Sequence, residues 1–84
     1  MYEVYLEHGA EKDLKKLSGK VFHRIITHIK SLAENPRPPG CRKITGTKND
    51  WRIRVGDYRI IYEIGDNAHA VQVMRIRYRR EVYR

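Results

Sequence analysis

The sequence predicts an α+β fold, with a first strand and a helical hairpin followed by a mostly antiparallel sheet of about four strands, and with both helices on one face. Two patterns indicate this class. Apolar residues recur at helical spacing between positions 10 and 34, whereas apolar and charged residues alternate from position 51 onward, as in strands with one buried face. Helices that cover one side of an antiparallel sheet are typical of α+β proteins. The 84 residues suit one domain, which we expect to span residues 1–84.

The N-terminal half is predicted to contain one strand and two helices. Alternation of apolar and charged residues predicts a strand over Tyr2–Glu7. Apolar residues at helical spacing predict a short helix over Ala10–Leu17, and Ser18-Gly19 ends it. A longer apolar stripe predicts a second helix over Lys20–Glu34, which Asn35-Pro36 terminates.

Four further strands are predicted in the C-terminal half. They cover Cys41–Ile44, Trp51–Val55, Tyr58–Ile64 and about Ala70–Tyr78. Between the second and third of these, Gly56-Asp57 has the composition of a two-residue turn with glycine first, which is the type II′ pattern.

This hairpin turn predicts which residues face each other. Val55 should lie opposite Tyr58, and Arg54 should lie opposite Arg59. Two arginines facing each other across a sheet repel, which costs stability. They either extend separately into water or share an anion, and the remaining sequence favours the shared anion.

Strand parity divides the sheet into two faces. The helix-facing set is predicted to contain Trp51, Ile53, Val55, Tyr58, Ile60, Tyr62, Ile64, Met74 and Ile76. The opposite set is predicted to contain Arg52, Arg54, Arg59, Ile61, Glu63, Val71, Val73, Arg75, Arg77 and, if the last strand continues, Arg79. Up to six arginines therefore converge on one face if these strands are neighbours. The alternative is a solvated charged face held by Glu63 and Glu81.

The net charge of +8 is concentrated in the C-terminal half. Residues 1–41 carry seven Lys/Arg against five Asp/Glu, and residues 42–84 carry eleven against five, nine of the eleven being arginine. The planar donor fork of arginine matches phosphate. This distribution predicts a nucleic-acid partner or an acidic protein partner.

Several other classes are not supported. Cys41 is the single cysteine, so no intrachain disulfide can form. We find no signal peptide at the N-terminus and no apolar run of the roughly 20 residues that span a membrane. The four histidines do not form a metal-ligating set. We therefore expect a cytoplasmic protein without a membrane association.

Three sequence blocks resemble a known family. They are Arg42–Gly46 (RKITG), Trp51–Tyr62 (WRIRVGDYRIIY) and Arg79–Tyr83 (RREVY). In this order they are similar to the RelE toxins of bacterial toxin–antitoxin systems, within the RelE/ParE superfamily. The resemblance covers nearly the whole chain, including the first strand and the helical hairpin, and implies a RelE/ParE-like fold.

The resemblance implies a ribosome-dependent endoribonuclease that cuts mRNA in the ribosomal A site. The ribose 2′-hydroxyl attacks the adjacent phosphate and yields a 2′,3′-cyclic phosphate and a 5′-hydroxyl, without a metal or other cofactor. The implied partners are a cognate antitoxin protein, the ribosome and mRNA. Promoter DNA would be bound only through the antitoxin.

The resemblance also assigns five residues to catalysis. Arg52 and Arg54 occupy positions at which well-known relatives carry two lysines. Arg59 matches an arginine that clamps the scissile phosphate, and Arg79 matches one proposed to protonate the leaving group. Tyr83 matches a tyrosine that stacks on a base and helps to orient the 2′-hydroxyl.

The remaining basic residues near these blocks are expected to contact RNA. They are Lys43, Lys48, Arg75, Arg77 and Arg80.

Two departures from the family pattern affect the chemistry. Arginine effectively cannot lose its proton, so Arg52 and Arg54 are poor general bases and Tyr83 becomes a candidate base. Many relatives carry histidine where this chain has Tyr78.

Two other functions remain open from the sequence. A ParE-like protein would share the fold but inhibit DNA gyrase without nuclease chemistry, although Arg79 and Tyr83 match the nuclease branch. A basic RNA-binding module without catalysis is the second alternative, because arginine replaces lysine at positions 52 and 54.

Overall fold

A computed structural model describes residues 1–79 of the protein. The elements within this range are β1 (Glu3–Leu6), α1 (His8–Lys15), α2 (Gly19–Ser31), β2 (Arg42–Lys43), β3 (Asp50–Val55), β4 (Tyr58–Gly65) and β5 (Ala70–Tyr78). This order confirms the predicted succession of a strand, a helical hairpin and four strands. The N-terminal part of the chain therefore forms helices where the sequence shows helical spacing, and the C-terminal part forms strands where it alternates.

The strands of residues 1–79 form one five-stranded sheet in the order β1-β5-β4-β3-β2. β1 runs parallel to β5, and all other neighbours are antiparallel. The α+β class is thus confirmed, and the first strand extends the predicted four-stranded sheet at its β5 edge. The short β2 lies at the other edge, beside β3.

The core lies between the two helices and one face of the sheet. Ala10 and Leu14 of α1 and Ile25 and Ile29 of α2 are buried in a single apolar cluster. The sheet contributes Ile53, Val55, Ile60, Tyr62, Ile64, Val71, Val73 and Ile76 to the same cluster. Neither helix within residues 1–79 is long and apolar enough to cross a membrane.

One residue of β5 changes the parity that alternation predicts. Tyr62 pairs with Val73 and Ile61 pairs with Arg75, which leaves Met74 as an extra residue, a β-bulge. Because a shift of one residue exchanges the two faces of a strand, Val71 and Val73 lie in the core at 0 % exposure. Their assignment to the arginine face was therefore wrong, as was the placement of Met74 in the core, since Met74 is only half-buried.

The connector between α2 and β2 is anchored by hydrogen bonds at Pro36 and Arg37. The Arg37 guanidinium donates to both carboxylate oxygens of Asp66, at 3.1 and 2.8 Å. The Tyr2 hydroxyl donates to the same carboxylate at 2.6 Å. The hydrogen bonds from Arg37 have the largest effect on the pKa of Asp66, and together with the one from Tyr2 they lower it to about 2. The buried Tyr62 hydroxyl donates to the carbonyl of Pro36 at 2.8 Å, so the connector enters β2 along a defined path.

Candidate functional site

The β3–β4 hairpin sets the pairing on which the site depends. Gly56 has φ of 61°, as the first central position of a type II′ turn requires. Val55 pairs with Tyr58 and Arg54 pairs with Arg59, so the predicted register is confirmed. The two arginines therefore face each other across the sheet.

A third arginine continues this line across the next strand. Arg59 of β4 pairs with Arg77 of β5. Directly opposed residues present their side chains on the same face of a sheet. Arg54, Arg59 and Arg77 thus form one transverse row over three strands, which we call the arginine row.

A second row lies two residues along the strands. Arg42 of β2 pairs with Arg52 of β3, Arg52 pairs with Ile61 of β4, and Ile61 pairs with Arg75 of β5. Arg42 was absent from the residues predicted for this face. Its strand has only two residues, so alternation could not reveal its parity.

A cavity connects the two rows on this face. It has a volume of about 290 Å³ and is lined by Gly40, Arg42, Arg52, Arg54 and Arg59. Arg59 is the most enclosed of these cations, with 6 % of its surface exposed. A cavity lined by four guanidinium groups suits an anion with several acceptor oxygens.

Backbone acceptors fix two of the guanidinium groups. The Arg59 Nη1 donates to the carbonyl of Tyr58 at 3.3 Å, and the Arg54 Nε donates to the carbonyl of Gly56 at 3.1 Å. Arg54 keeps further N–H donors, because a guanidinium has five. The hairpin backbone therefore orients the cations of the site before any ligand arrives.

Arg75 has a partner on the helical side. Its Nε and Nη2 donate to the Asp13 carboxylate at 2.9 and 3.2 Å, and the backbone N–H of Ile76 donates to Asp13 at 2.9 Å. Burial by itself raises the pKa of Asp13, but the hydrogen bonds from Arg75 and Ile76 outweigh burial and lower it. Arg75 thus links β5 to α1, although its register position belongs to the second row.

The end of β5 contacts the hairpin turn. The backbone N–H of Arg79 donates to the carbonyl of Asp57 at 2.7 Å. The Arg79 Nη1 lies 3.8 Å from an Asp57 carboxylate oxygen, and both side chains are about half exposed. The Tyr78 ring meets the Tyr58 ring edge-on at 5.3 Å between centroids. Asp57, read from the sequence as a turn residue, therefore also holds Arg79 beside the arginine row.

The acidic residues of the same face lie one row beyond Arg52. Asp50 pairs with Glu63, and Glu63 pairs with Gln72. Within residues 1–79, neither carboxylate forms an ion pair with an arginine. Glu63 therefore does not balance these arginines within residues 1–79, and Glu81, the other carboxylate of that alternative, lies outside the described residues.

Comparisons with known proteins agree with this geometry. The family model for the ParE toxin of the type II toxin–antitoxin system parDE matches residues 4–83. The chain belongs to this toxin family. The predicted resemblance to RelE toxins is likewise confirmed, since two similar relatives are named Toxin RelE and Toxin RelE3.

Two of these relatives cover most of the chain. Toxin RelE from Mycobacterium tuberculosis is 30% identical over 84 residues, which are 99% of this chain and 87% of the relative. Toxin RelE3 from Methanocaldococcus jannaschii is 36% identical over 76 residues, which are 86% of this chain and 84% of the relative. The chain therefore has nearly the extent of the RelE toxins that it resembles.

A solved structure extends the likeness to three dimensions. The archaeal RelE–RelB complex from Pyrococcus horikoshii OT3 superposes with a TM-score of 0.82 at 25% sequence identity, covering 93% of this chain and 94% of that chain. The sheet order and helical hairpin described above are thus those of a RelE toxin.

The structure distributes the residues predicted for this toxin's site unevenly. Arg54, Arg59 and Arg77 share the arginine row, and Arg52 lies in the neighbouring row. Arg79 lies at the hairpin turn, two residues after Arg77, where its backbone N–H donates to Asp57. Arg80 and Tyr83 lie outside the described residues.

The two predicted lysines lie away from these rows. Lys43 pairs with Trp51, and Trp51 pairs with the buried Tyr62, so Lys43 is on the helix-facing side of the sheet. Lys48 is exposed in the turn between β2 and β3. Their proposed contacts with RNA stay predictions, and any such contact would approach from the β2 edge.

Proposed function

We propose that this toxin is a ribosome-dependent, metal-independent endoribonuclease that cleaves mRNA in the ribosomal A site. The observation that carries the proposal is the arginine row with the buried Arg59 at its centre. Preorganised cations stabilise the charge that develops on a phosphate during nucleophilic attack, and such fixed charges are often the largest contribution to catalysis.

The proposed reaction breaks one P–O bond and forms another. The ribose 2′-oxygen loses its proton and attacks the adjacent phosphorus, while the bond to the 5′-oxygen breaks and that oxygen gains a proton. The products are a 2′,3′-cyclic phosphate and a 5′-hydroxyl. General acid and base groups accelerate these two proton transfers.

Each site residue receives a role in this scheme. Arg54 and Arg59 hold the phosphate oxygens and stabilise the additional negative charge. Arg52 acts electrostatically, because arginine keeps its proton. Arg79 is the candidate proton donor to the leaving 5′-oxygen, and Tyr83 is the candidate base for the 2′-hydroxyl.

The proposed partners follow from the charge of the same face. An acidic or amphipathic segment of a cognate antitoxin would neutralise the arginine row and block entry to the ribosome. The RelE–RelB complex that this chain resembles supports such a partner. We propose that promoter DNA is contacted through the antitoxin and that the toxin acts in the cytoplasm.

Inhibition of DNA gyrase is a second candidate, favoured by the ParE name of the matching family model. The two activities leave different products. A gyrase inhibitor blocks supercoiling and leaves mRNA intact, whereas the proposed nuclease leaves cyclic phosphate ends and does not affect supercoiling.

The deciding experiment is primer extension on programmed ribosomes with the native chain and Arg79→Ala. We expect a new stop inside the A-site codon with the native chain and its loss with Arg79→Ala. Lys30→Ala, which removes an equal charge from the exposed side of α2, should cleave normally. No stop with any protein would overturn the nuclease proposal, and normal cleavage by Arg79→Ala would remove Arg79 from the mechanism.

A further inference from the structure

We propose that Arg42 and Arg52 form a second phosphate-binding site, which holds the RNA phosphodiester next to the one at the arginine row. The inference deepens the proposed function and rests on it for the identity of the ligand. It adds Arg42, which neither the sequence patterns nor the resemblance assigns to the site.

The register places the two cations side by side. Arg42 and Arg52 are directly opposed in the β2–β3 ladder, and Arg52 is two residues from Arg54 on β3. Two residues of a strand cover roughly 6.6 Å. The two rows are therefore spaced like successive phosphates of an RNA strand, which can contact one row with each phosphate.

The cavity joins the two rows into one surface. Arg42 and Arg52 line it together with Arg54 and Arg59, which belong to the arginine row. Gly40 lines its remaining side, with φ of 91° and open space where a Cβ would be. A backbone phosphate bound at Arg42 would thus lie in the same depression as one bound at Arg59.

The charges of this pair are uncompensated within the described part of the chain. Across residues 1–79, neither the Arg42 side chain nor the Arg52 side chain forms a hydrogen bond or an ion pair. Like charges placed directly opposite destabilise a sheet. By contrast, Arg37 and Arg75 each have a carboxylate partner. A shared anion would remove the repulsion at the Arg42–Arg52 pair.

The residues at the other positions of the second row explain why the phosphate would bind at the β2 end of that row. Ile61 occupies the β4 position and Arg75 is held by Asp13 at the β5 position. The connector that leads to Arg42 is anchored by Arg37–Asp66 and by the hydrogen bond of Tyr62 to Pro36. Arg42 is therefore presented by an ordered backbone, although its own side chain is exposed.

The test measures binding of a short single-stranded RNA whose 2′-oxygens are methylated, so that it cannot be cleaved. Fluorescence anisotropy across a salt series compares the native chain with Arg42→Ala, Arg42→Lys and the charge-matched control Lys30→Ala. Loss of one phosphate contact reduces the slope of log affinity against log salt by about 0.7 for a single strand. We expect this reduction and about tenfold weaker binding for Arg42→Ala.

Arg42→Lys separates the loss of charge from the loss of guanidinium geometry, and Lys30→Ala controls for the loss of a cation elsewhere on the protein. Arg42→Lys keeps the charge, so its slope should stay native while its affinity falls between those of the native chain and Arg42→Ala. Lys30→Ala should match the native chain in slope and affinity. Thermal unfolding of each variant checks that the fold is retained, and Arg42→Lys decides the question if Arg42→Ala does not fold.

Cleavage on programmed ribosomes, run with the same variants, separates this inference from the proposed function. An altered slope for Arg42→Ala without cleavage by any protein would keep the phosphate site and remove the nuclease. Native slope and native cleavage for Arg42→Ala would remove the phosphate site and keep the nuclease. Failure of the native chain to bind RNA would overturn the inference.

Discussion

Arg59 combines a positive charge with an enclosed position. Only 6 % of its surface is exposed, yet it lies between Arg54 and Arg77 in the arginine row. Solvent screens an enclosed guanidinium less than an exposed one, so its attraction for an anion is stronger. Within the proposed function, loss of Arg59 should therefore slow the chemical step.

Replacement of Arg59 by alanine should lower the rate of cleavage by roughly 10²–10³-fold, in line with the removal of one preorganised donor. Single-turnover cleavage on programmed ribosomes measures this rate. Arg59→Lys keeps a point charge but loses the planar fork, so an intermediate rate is expected. Unchanged cleavage by Arg59→Ala, in a variant with a native thermal transition, would separate Arg59 from catalysis.

Asp13 has a structural role that involves three donors. It accepts hydrogen bonds from two nitrogens of Arg75 and from the backbone N–H of Ile76. These donors come from β5, 62 and 63 residues away along the chain. The carboxylate thus joins α1 to the part of β5 that lies beyond its pairing with β1.

Asp13→Ala should lower the free energy of unfolding by about 2 kcal/mol, because it leaves the Ile76 N–H and the Arg75 guanidinium without their acceptor. Chemical denaturation measures this loss. Glu11→Ala, on the exposed side of the same helix, should change stability by only a few tenths of a kcal/mol. A loss for Asp13→Ala no larger than that of the control would contradict the role described for Asp13.

The pH dependence of stability provides an independent check on Asp13. Its folded-state pKa is lowered, whereas an unfolded aspartate has a pKa of about 3.9. The contribution of the carboxylate is therefore complete above the unfolded pKa and is lost as the pH falls through the folded pKa. Between pH 6 and pH 3, the native chain should lose more stability than Asp13→Asn, as measured by urea denaturation at each pH.

At the scale of the element, the hairpin turn holds the register of the site. Gly56 has positive φ, and a Cβ there would lie 3.4 Å from a guanidinium nitrogen of Arg24. Asp57 accepts the backbone N–H of Arg79 through its own carbonyl, which any residue at this position would retain. The turn therefore depends on the identity of its first residue more than on that of its second.

Gly56→Ala should lower the free energy of unfolding by about 1–2 kcal/mol, because an L-residue is strained in this backbone conformation. Asp57→Ala is the matched substitution in the same turn. Its 3.8 Å contact with Arg79 joins two half-exposed side chains, and such surface pairs contribute about 0–1 kcal/mol. Equal losses for the two variants in thermal denaturation would contradict the turn assignment.

The β5 strand illustrates where alternation fails at the scale of the element. The residues from Val71 to Arg77 alternate in a way that assigns Val71 and Val73 to the arginine face, but the bulge at Met74 reverses that assignment. A bulge adds one residue without any required change in composition. The hairpin between β3 and β4 was predictable in detail because a two-residue turn determines the pairing locally.

At the scale of the whole molecule, the charge of +8 opposes compaction. Arg54, Arg59 and Arg77 form the arginine row on one face, and Arg42 and Arg52 lie beside it in the second row. Repulsion between such charges weakens as salt shortens the Debye length from about 30 Å at 0.01 M to about 8 Å at 0.15 M. The Arg42–Arg52 pair of the second row, which has no carboxylate partner within residues 1–79, contributes to this repulsion.

Raising sodium chloride from about 0.01 M to 0.15 M should therefore increase the thermal midpoint of the free protein. Differential scanning calorimetry measures the midpoint at each concentration. Sodium phosphate at matched ionic strength should raise it further if the arginine face binds anions. A midpoint that falls with salt would mean that the ion pairs Asp13–Arg75 and Arg37–Asp66 outweigh the repulsion.

The sequence by itself determined the element order, the β3–β4 register and membership of the toxin family, because these depend on local periodicity, a short turn and contiguous sequence blocks. Tertiary structure alone decided that β1 lies beside β5, that Asp13 holds Arg75, and that Arg42 joins the second row. These features depend on pairings between distant segments. Such pairings are selected by the packing of the whole core and leave no periodic signal in the chain.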